Sequence, residues 1–357
     1  MSGPDVSGPG NGSFLDSEFR YNLFTVFYSL VFIVGLVANV GALYVLRHLR
    51  DAKAMNEIRI YMTNLTVADL LFVCALPFWI SYYYSRGHWR FGDALCRVTG
   101  SLFFINTYSS VLFLAIISFN RYWAVTRPLD AVTSDHRRRG ILMSLGVWVV
   151  TLSASGPQLA QNGMNSDDAG VVRCFENYVE RDEATRMTVA AMHFAIIGLF
   201  FLVFLLVVVC NVLIGRTLLQ QRQTLAGRKR WGLKKYALWM VCVVVLVFMV
   251  CFLPHHVVQG PWTLAVLGYS GMSDSTRQRL NDAHQFTTML MGLNCIMDPV
   301  VYCFSTRKFR HYVSSRLGFL SRAKDCSVRT NSTKVSLNMH RQGVVAPLEM
   351  AGEGVRE

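Results

Sequence analysis

The chain has 357 residues, of which 52% are apolar, with a formal net charge of +13 and a mean hydropathy of +0.33. Such an apolar composition excludes an ordinary soluble protein and indicates segments that are buried in a membrane. The positive charge alone would suit a nucleic-acid-binding protein. However, the basic residues crowd alternate connections between apolar segments, which argues against that class.

Seven apolar stretches are each long enough to cross a bilayer as an α-helix. They cover residues 23–47, 58–84, 95–125, 141–161, 188–218, 234–267 and 279–304. We therefore predict an all-α membrane protein, in which a seven-transmembrane-helix bundle occupies residues 23–305. A polar tail of residues 1–22 precedes this bundle.

The connections on the two sides of the predicted bundle differ in charge. One set is rich in Lys and Arg, as at 137–139 and 216–235, whereas the long connection 162–187 on the other side carries more acid. Positively charged connections stay in the cytosol, so we expect an extracellular N-terminus and a cytoplasmic C-terminus in the plasma membrane. In the extracellular tail, Asn11 begins a glycosylation sequon.

Two of the nine cysteines fall where oxidation is expected, outside the membrane. Cys96 begins the third span, and Cys174 lies midway along the connection 162–187. A disulfide between them would hold that connection over the outer mouth of the bundle. Two free thiols are the alternative.

Polar residues inside the first two spans need a physical explanation. Asn39 must form a hydrogen bond within the bundle, because an unpaired amide is costly in hydrocarbon. Asp69 lies about midway through the second span, and an ionisable side chain at that depth marks a functional site. A purely structural hydrogen-bond anchor is the alternative for Asp69.

Residues 306–320 follow the seventh span and repeat apolar residues at helical spacing, with basic residues between them. This pattern predicts a short amphipathic juxtamembrane helix on the membrane surface. Cys326 lies beyond it and is a candidate for palmitoylation, with an unmodified thiol as the alternative. Residues 321–357 form a polar cytoplasmic tail whose Ser and Thr residues are candidates for phosphorylation.

No catalytic arrangement is apparent in the sequence, and we expect the protein not to be an enzyme. We find no metal-ligand spacing, phosphate-binding loop or nucleophile–base pair in a plausible position. His255 and His256 are adjacent, so on a helix they point about 100° apart and are poorly placed to share a metal ion. A transporter is a distant alternative, but no internal repeat with broken helices is visible.

A set of motifs occurs in order along all seven spans and resembles that of rhodopsin-like G-protein-coupled receptors. The set comprises Asn39, Leu65 with Asp69, Cys96, Asn120-Arg121-Tyr122, Trp148, Cys251-Phe252-Leu253-Pro254 and Asp298-Pro299-Val300-Val301-Tyr302. The resemblance implies a receptor that activates heterotrimeric G proteins, with Arg121 and Tyr302 in the coupling machinery. It also implies arrestin and receptor kinases as partners of the tail.

Shorter segments are similar to those of family members that detect an ether phospholipid with a phosphocholine head group. They are residues 16–21, 103–108, 174–176, 254–259 and 281–285. Four positions depart from the broad family pattern, where Asn120 replaces an acid, Phe252 a tryptophan, Val203 a proline and Asn211 a tyrosine. The phospholipid receptors look similar at these positions, which supports the closer assignment.

The resemblance implies a phospholipid pocket in the outer half of the bundle. Its expected ligand-binding residues are Tyr28, Trp79, Tyr82, Phe103, Phe104, Phe175, Glu176, His193, His255, His256, Gln259 and Gln285. Histidine and glutamine can donate to a phosphate, while aromatic rings and a carboxylate attract a quaternary ammonium group. Alternatively, the histidines satisfy only interhelical hydrogen bonds, and the ligand is another lipid, a nucleotide or a peptide.

Rhodopsin-like receptors also bind a sodium ion between the second, third and seventh spans, and the resemblance implies that site here. The matching residues are Asp69, Asn106, Ser110, Asn294 and Asp298. Hard oxygen ligands with two carboxylates suit a small cation. A polar cluster filled only with water is the alternative, and no other cofactor is expected.

Overall fold

The architecture is given by a computed structural model, which describes residues 18–48, 56–127, 136–166, 170–175, 183–222, 239, 241–267, 271–305, 309 and 311–315. Within these ranges, one short hairpin is the only regular element that is not helical. Six of the helices described are long and apolar enough to cross a membrane.

The helices follow the order of the predicted spans. The first five are α1 (Glu18–His48), α2 (Asn56–Tyr84), α3 (Asp93–Thr126), α4 (His136–Ala160) and α5 (Glu183–Arg222). In the sixth span, a π-helical turn (Phe248–Phe252) leads into α6 (Leu253–Val266). Residues 234–238 and 240 of that predicted span lie outside the ranges described.

The seventh span is formed by two shorter helices, α7 (Asp274–Met291) and α8 (Asn294–Ser305). Between them the backbone tightens, because the Gly292 amide donates to the Met289 carbonyl and the Leu293 amide to the Leu290 carbonyl. These bonds reach back three residues rather than four, as in a 3₁₀ turn. The sequence predicts the span but not this break.

α3 lies at the centre of the bundle, where it packs against α2, α4 and α5, while α1 packs against α2 and α8. Gly35 allows the close approach of α1, since a Cβ there would lie 3.2 Å from both Cys295 Sγ and Val73 Cγ2. Asn39 Nδ2 donates to the Cys295 carbonyl at 2.7 Å. The expected hydrogen bond of Asn39 within the bundle is therefore confirmed.

The connection between α4 and α5 contains a two-stranded antiparallel hairpin, which the sequence analysis does not predict. Its strands are β1 (Met164–Ser166) and β2 (Val172–Cys174), and Met164 pairs with Cys174. The predicted disulfide between Cys96 and Cys174 is confirmed. It fixes the end of β2 to the first turn of α3.

Residues from Arg310 onward form a unit separate from the bundle. Residues 311–315 of this unit are helical, which covers part of the amphipathic helix predicted for 306–320. Positions 306–308, 310, 316–320 and the predicted tail 321–357 lie outside the ranges described. Asn11 and Cys326 also lie outside them, so their modifications stay predictions.

Candidate functional site

A cavity of about 240 Å³ lies in the half of the bundle that carries the disulfide. Its walls come from α1 to α7, and the residue after β2 contributes to its lining. Eight of the predicted ligand-binding residues line it: Tyr28, Trp79, Phe103, Phe104, Phe175, His193, His255 and Gln259. The structure therefore brings together most of the aromatic and polar groups that the sequence singles out.

Phe175 is held over α3 by an unusual backbone conformation. Its φ angle of 55° lies in the left-handed region, which residues other than glycine rarely adopt. Its amide donates to the Gly163 carbonyl at 2.8 Å, and its neighbour Cys174 is in the disulfide. On α3, a Cβ at Gly100 would overlap the Phe175 ring. The hairpin, the disulfide and this glycine together place the ring against the cavity.

Two histidines of the cavity each form one hydrogen bond between helices. His193 Nδ1 lies 3.0 Å from Thr263 Oγ1, and His255 Nδ1 lies 3.3 Å from Thr288 Oγ1. No residue in the described ranges bonds the Nε2 atom of either ring. Both histidines thus form the interhelical hydrogen bonds named above as their alternative role. One nitrogen of each ring is left for a ligand or water.

Several lining residues were missed by the sequence analysis. They are chiefly Tyr83, Tyr108, Gln158, Trp262, His284 and Thr288. The rings of Trp262 and His284 stack with a centroid separation of 3.8 Å and an interplanar angle of 6°. Helical spacing is a signal that could have found them, because Trp262 lies one turn beyond Gln259 and Thr288 one turn beyond His284.

Four polar atoms at this cavity are buried without a hydrogen-bond partner among the residues described. They are Trp79 Nε1, Gln158 Oε1, Gln259 Oε1 and His284 Nδ1. Buried polar groups in folded proteins are almost always paired with protein or water. We therefore expect ordered water or a polar ligand to bond these four atoms.

Three predicted ligand residues do not line the cavity, namely Tyr82, His256 and Gln285. The His256 ring stacks on Phe200 of α5 at a centroid distance of 3.7 Å. Its Nδ1 donates to the Phe252 carbonyl at 2.8 Å, so its Nε2 is left to accept from the Tyr108 hydroxyl at 3.3 Å. His256 thus lies behind Tyr108. Glu176 is outside the described ranges.

The different roles of the two adjacent histidines follow from helix geometry. Successive residues are rotated by about 100°, so only one of His255 and His256 can face the cavity squarely. His255 shares its face with Gln259, which is four residues further on. His256 is turned toward α3 and α5.

Below the cavity, the five residues of the predicted sodium site are buried together. Asn106 Nδ2 donates to Asp69 Oδ1 at 2.9 Å, and Asn294 Nδ2 donates to Ser110 Oγ at 3.0 Å. By hydrogen-bond geometry, Asp69 Oδ2, Asn294 Oδ1 and both Asp298 oxygens have no partner among the described residues. All four are hard oxygen acceptors, so this cluster fits a small cation chemically.

The predicted coupling residues lie at the opposite end of the bundle from the disulfide. Arg121 is partly buried near the end of α3. Tyr302 lies in α8, but its side chain is not among those described. The structure therefore places Arg121 and Tyr302 at the end of the bundle opposite the disulfide, and their role in coupling stays a prediction.

Residues 38–302 match the sequence profile of the 7 transmembrane receptors of the rhodopsin family. The chain belongs to this receptor family. This agrees with the six long apolar helices and the divided seventh span, and it makes the chain a multi-pass membrane receptor of the G-protein-coupled class.

Curated relatives of this receptor are similar to it over most of their length. It is 47% identical to the platelet-activating factor receptor of Mus musculus over 329 residues, which cover 90% of this chain and 94% of the relative. For the platelet-activating factor receptor of Homo sapiens, the identity is 46% over 330 residues, with coverages of 91% and 94%. Lysophosphatidic acid receptor 4 of Mus musculus is 34% identical over 301 residues, with coverages of 84% and 79%.

Proposed function

We propose that this receptor binds platelet-activating factor, an ether phospholipid with a phosphocholine head group, and activates heterotrimeric G proteins in response. The observation that carries the proposal is the cavity, whose lining combines a group of aromatic rings with residues that have unpartnered polar atoms. The similarity to platelet-activating factor receptors over about nine-tenths of the chain supports the same ligand.

The cavity suits the head group of this lipid better than the whole molecule, because its volume is only about 240 Å³. Gln259 and His255 on α6 and His284 on α7 line the same cavity, and side chains of these types can donate hydrogen bonds to phosphate oxygens. The rings of Tyr28, Trp79 and Tyr83 offer π faces to the quaternary ammonium. We also propose that the carboxylate of Glu176 contacts the ammonium.

Binding at α6 offers a route from the ligand to the rest of the bundle. His255 and Gln259 lie within one and a half turns of Pro254, and the π-helical turn Phe248–Phe252 directly precedes them. Prolines and π turns are places where a helix bends or changes its register. A ligand that contacts α6 better in one arrangement shifts the population of receptors toward that arrangement.

We propose that the disulfide end of the bundle is extracellular and that Arg121 and Tyr302 meet the G protein in the cytosol. A disulfide belongs in an oxidising compartment, and the basic connections belong in the cytosol. The cytoplasmic tail is then the site at which arrestin and receptor kinases act.

We further propose that a sodium ion binds at Asp69, Asn106, Ser110, Asn294 and Asp298 and favours the inactive receptor. When bound, the ion would compensate the two carboxylate charges. The residues themselves hold acceptor oxygens from α2, α3 and α8 in one buried place. Any rearrangement of these helices changes the number of oxygens that reach the ion.

Radioligand binding and guanine-nucleotide exchange on cells expressing the chain test the proposed ligand. Saturable binding of labelled platelet-activating factor, with agonist-dependent exchange, is the expected result. Arg121→Ala should abolish the exchange while the amount of receptor at the cell surface is unchanged. Exchange driven instead by lysophosphatidic acid, a nucleotide or a peptide would show that the proposed ligand is wrong and that the receptor class is right. Uptake of a substrate without nucleotide exchange would indicate a transporter.

A further inference from the structure

The hairpin beside the cavity is attached to α1 as well as to α3. Arg173 of β2 is only 4% exposed, and its Nη1 donates to Tyr21 Oη at 2.8 Å. This bond joins residues that are 152 positions apart in the sequence. Successive residues of a strand point to opposite sides, so the disulfide at Cys174 and the bond at Arg173 hold β2 from two directions.

The turn between α2 and α3 leaves room for this pair of side chains. Gly87 has a φ angle of 78°, in the left-handed region that favours glycine. A Cβ at this position would lie 2.6 Å from Arg173 Nη1 and 2.7 Å from Tyr21 Oη. A larger residue would displace both partners, so the bond between Arg173 and Tyr21 depends on how all three segments pack.

On α1, the Tyr21 ring packs beside the wall of the cavity. The Arg20 guanidinium lies 5.1 Å from the centroid of the Tyr21 ring and 5.9 Å from that of the Tyr83 ring. The centroids of the two rings are 6.5 Å apart, and Tyr83 lines the cavity. The Tyr21 hydroxyl is therefore placed relative to the cavity, and its bond to Arg173 places β2 in the same way.

The orientation of β2 decides where the Phe175 ring lies, because Phe175 follows this strand directly. The disulfide is a single link about which the strand could still turn. The Trp89 amide donates to the Val172 carbonyl at 2.7 Å, and the bond at Arg173 adds a further attachment. A tilt of β2 would move the Phe175 ring away from Gly100, where the fit leaves no room for one more carbon atom.

We propose that Tyr21 is a positioning residue for ligand binding. Through Arg173 it holds the hairpin so that the Phe175 ring stays against the bound ligand and slows its release. A side chain that is already ordered loses little entropy when a ligand binds, and changes at a binding site act mostly on the dissociation rate. Tyr21 itself does not line the cavity. The identity of the ligand rests on the proposed function, but the attachment of the hairpin does not.

Tyr21→Phe tests the proposal, because it keeps the ring and removes the hydroxyl that accepts the bond. The measurement is the dissociation rate of labelled platelet-activating factor from membranes of cells that express the full chain. We expect release about fivefold faster than from the parent, since a typical hydrogen bond contributes about 1 kcal/mol. Tyr84→Phe is the matched control, because Tyr84 ends α2 and is 79% exposed, and it should release the ligand at the rate of the parent.

A second background separates positioning from a general loss of stability. Phe175→Ala should itself speed release, and Tyr21→Phe added to it should cause no further change, because Tyr21 acts on the ligand only through Phe175. An effect of Tyr21→Phe that persists without the Phe175 ring would overturn the proposal. Equal dissociation rates for the parent and Tyr21→Phe would overturn it as well.

Hydrogen–deuterium exchange of the purified, ligand-free receptor gives an independent measurement. The amides of β1 and β2, and that of Phe175, should exchange faster in Tyr21→Phe than in the parent, and at the parent rate in Tyr84→Phe. Failure to bind platelet-activating factor would reject the proposed function, while the exchange would still decide the role of Tyr21. Unchanged exchange in Tyr21→Phe would overturn the proposal even if release were faster, because the hairpin would not have loosened.

Discussion

The outer cavity and the junction of α2 with α4 differ in how well their buried polar groups are hydrogen-bonded. At the junction, Glu57 is only 2% exposed, and both of its oxygens are bonded by Arg139, Tyr61 and His136. Around the cavity, four polar atoms are buried with no partner in the part of the chain described. At the junction the protein itself bonds both carboxylate oxygens, although His136 Nε2 there is buried with no partner among the described residues. At the cavity, water or a ligand is needed to bond the four atoms.

The physical reason for the difference is the cost of each kind of group. A buried carboxylate without partners is far more costly than a neutral amide or ring nitrogen without partners, so the charge needs partners from the protein, as at Glu57, or from a bound cation, as proposed for Asp69 and Asp298. A neutral polar atom costs roughly 1–3 kcal/mol when unpaired, which water or a ligand can offset. Unpaired neutral atoms around a cavity are therefore a better guide to a ligand site than a saturated ion pair.

The largest expected effect is a loss of stability when the charge of Glu57 is removed from the junction of α2 with α4. Glu57→Gln removes the charge that Arg139 and His136 face, and we expect a loss of about 2–3 kcal/mol in stability. This is below the usual cost of breaking a buried pair, because the Arg139 side chain is 39% exposed. The measurement is the temperature at which solubilised receptor loses radioligand binding, which should fall clearly.

A double variant tests whether the loss of stability comes from the ion pair itself. Combining Glu57→Gln with Arg139→Gln removes both charges of the pair, so it should be less destabilising than expected from the sum of the two single variants. If Glu57→Gln alone inactivates at the same temperature as the parent, the junction does not contribute to stability in the way its geometry indicates.

The opposite result is expected at the cavity. Gln259→Leu removes an amide whose Oε1 has no partner in the part of the chain described, so thermal stability should be unchanged or slightly higher. Agonist affinity should fall about 10- to 150-fold if the amide bonds the charged head group. Competition binding measures this change. Gln278→Leu is the control, since Gln278 bonds Asp282 outside the cavity, and equal affinities for parent and Gln259→Leu would exclude the amide from the site.

Asp69 is a buried carboxylate of which only one oxygen, Oδ1, has a hydrogen-bond partner among the described residues. Raising sodium concentration at constant ionic strength, with N-methylglucamine as the replacement, should weaken agonist binding by about fivefold or more, a typical allosteric coupling. Asp69→Asn keeps an acceptor for Asn106 but removes the charge, so the sodium dependence should become flat. A variant that responds to sodium as the parent does would rule out the site.

The smallest effect is expected at His256, which lies behind Tyr108. His256→Phe keeps the ring stacked on Phe200 and loses only the hydrogen bonds, so agonist affinity should fall by less than about fivefold. His256→Ala also loses the stack and should weaken binding further. Equal losses of tenfold or more in both variants would instead indicate that the imidazole contacts the ligand, as the sequence alone suggests.

Features that depend on distance along the chain can be predicted from the amino-acid sequence. A membrane requires a minimum apolar length, so all seven spans are visible in the sequence, although their ends differ from the helices by several residues, as at His136 of α4. The disulfide could be predicted because Cys96 and Cys174 are the cysteines expected outside the membrane. The motifs also identified the receptor family, which the match over residues 38–302 confirms.

Contacts between side chains on different helices are visible only once the helices are packed together. The contact of Glu57 with Arg139 joins residues that are 82 positions apart, and the stacking of Trp262 on His284 joins α6 to α7. The choice of His255 over His256 depends on how α6 is rotated in the bundle. These features are not encoded in local pattern, because helix rotation and the pairing of distant helices are set by the packing of all the helices at once.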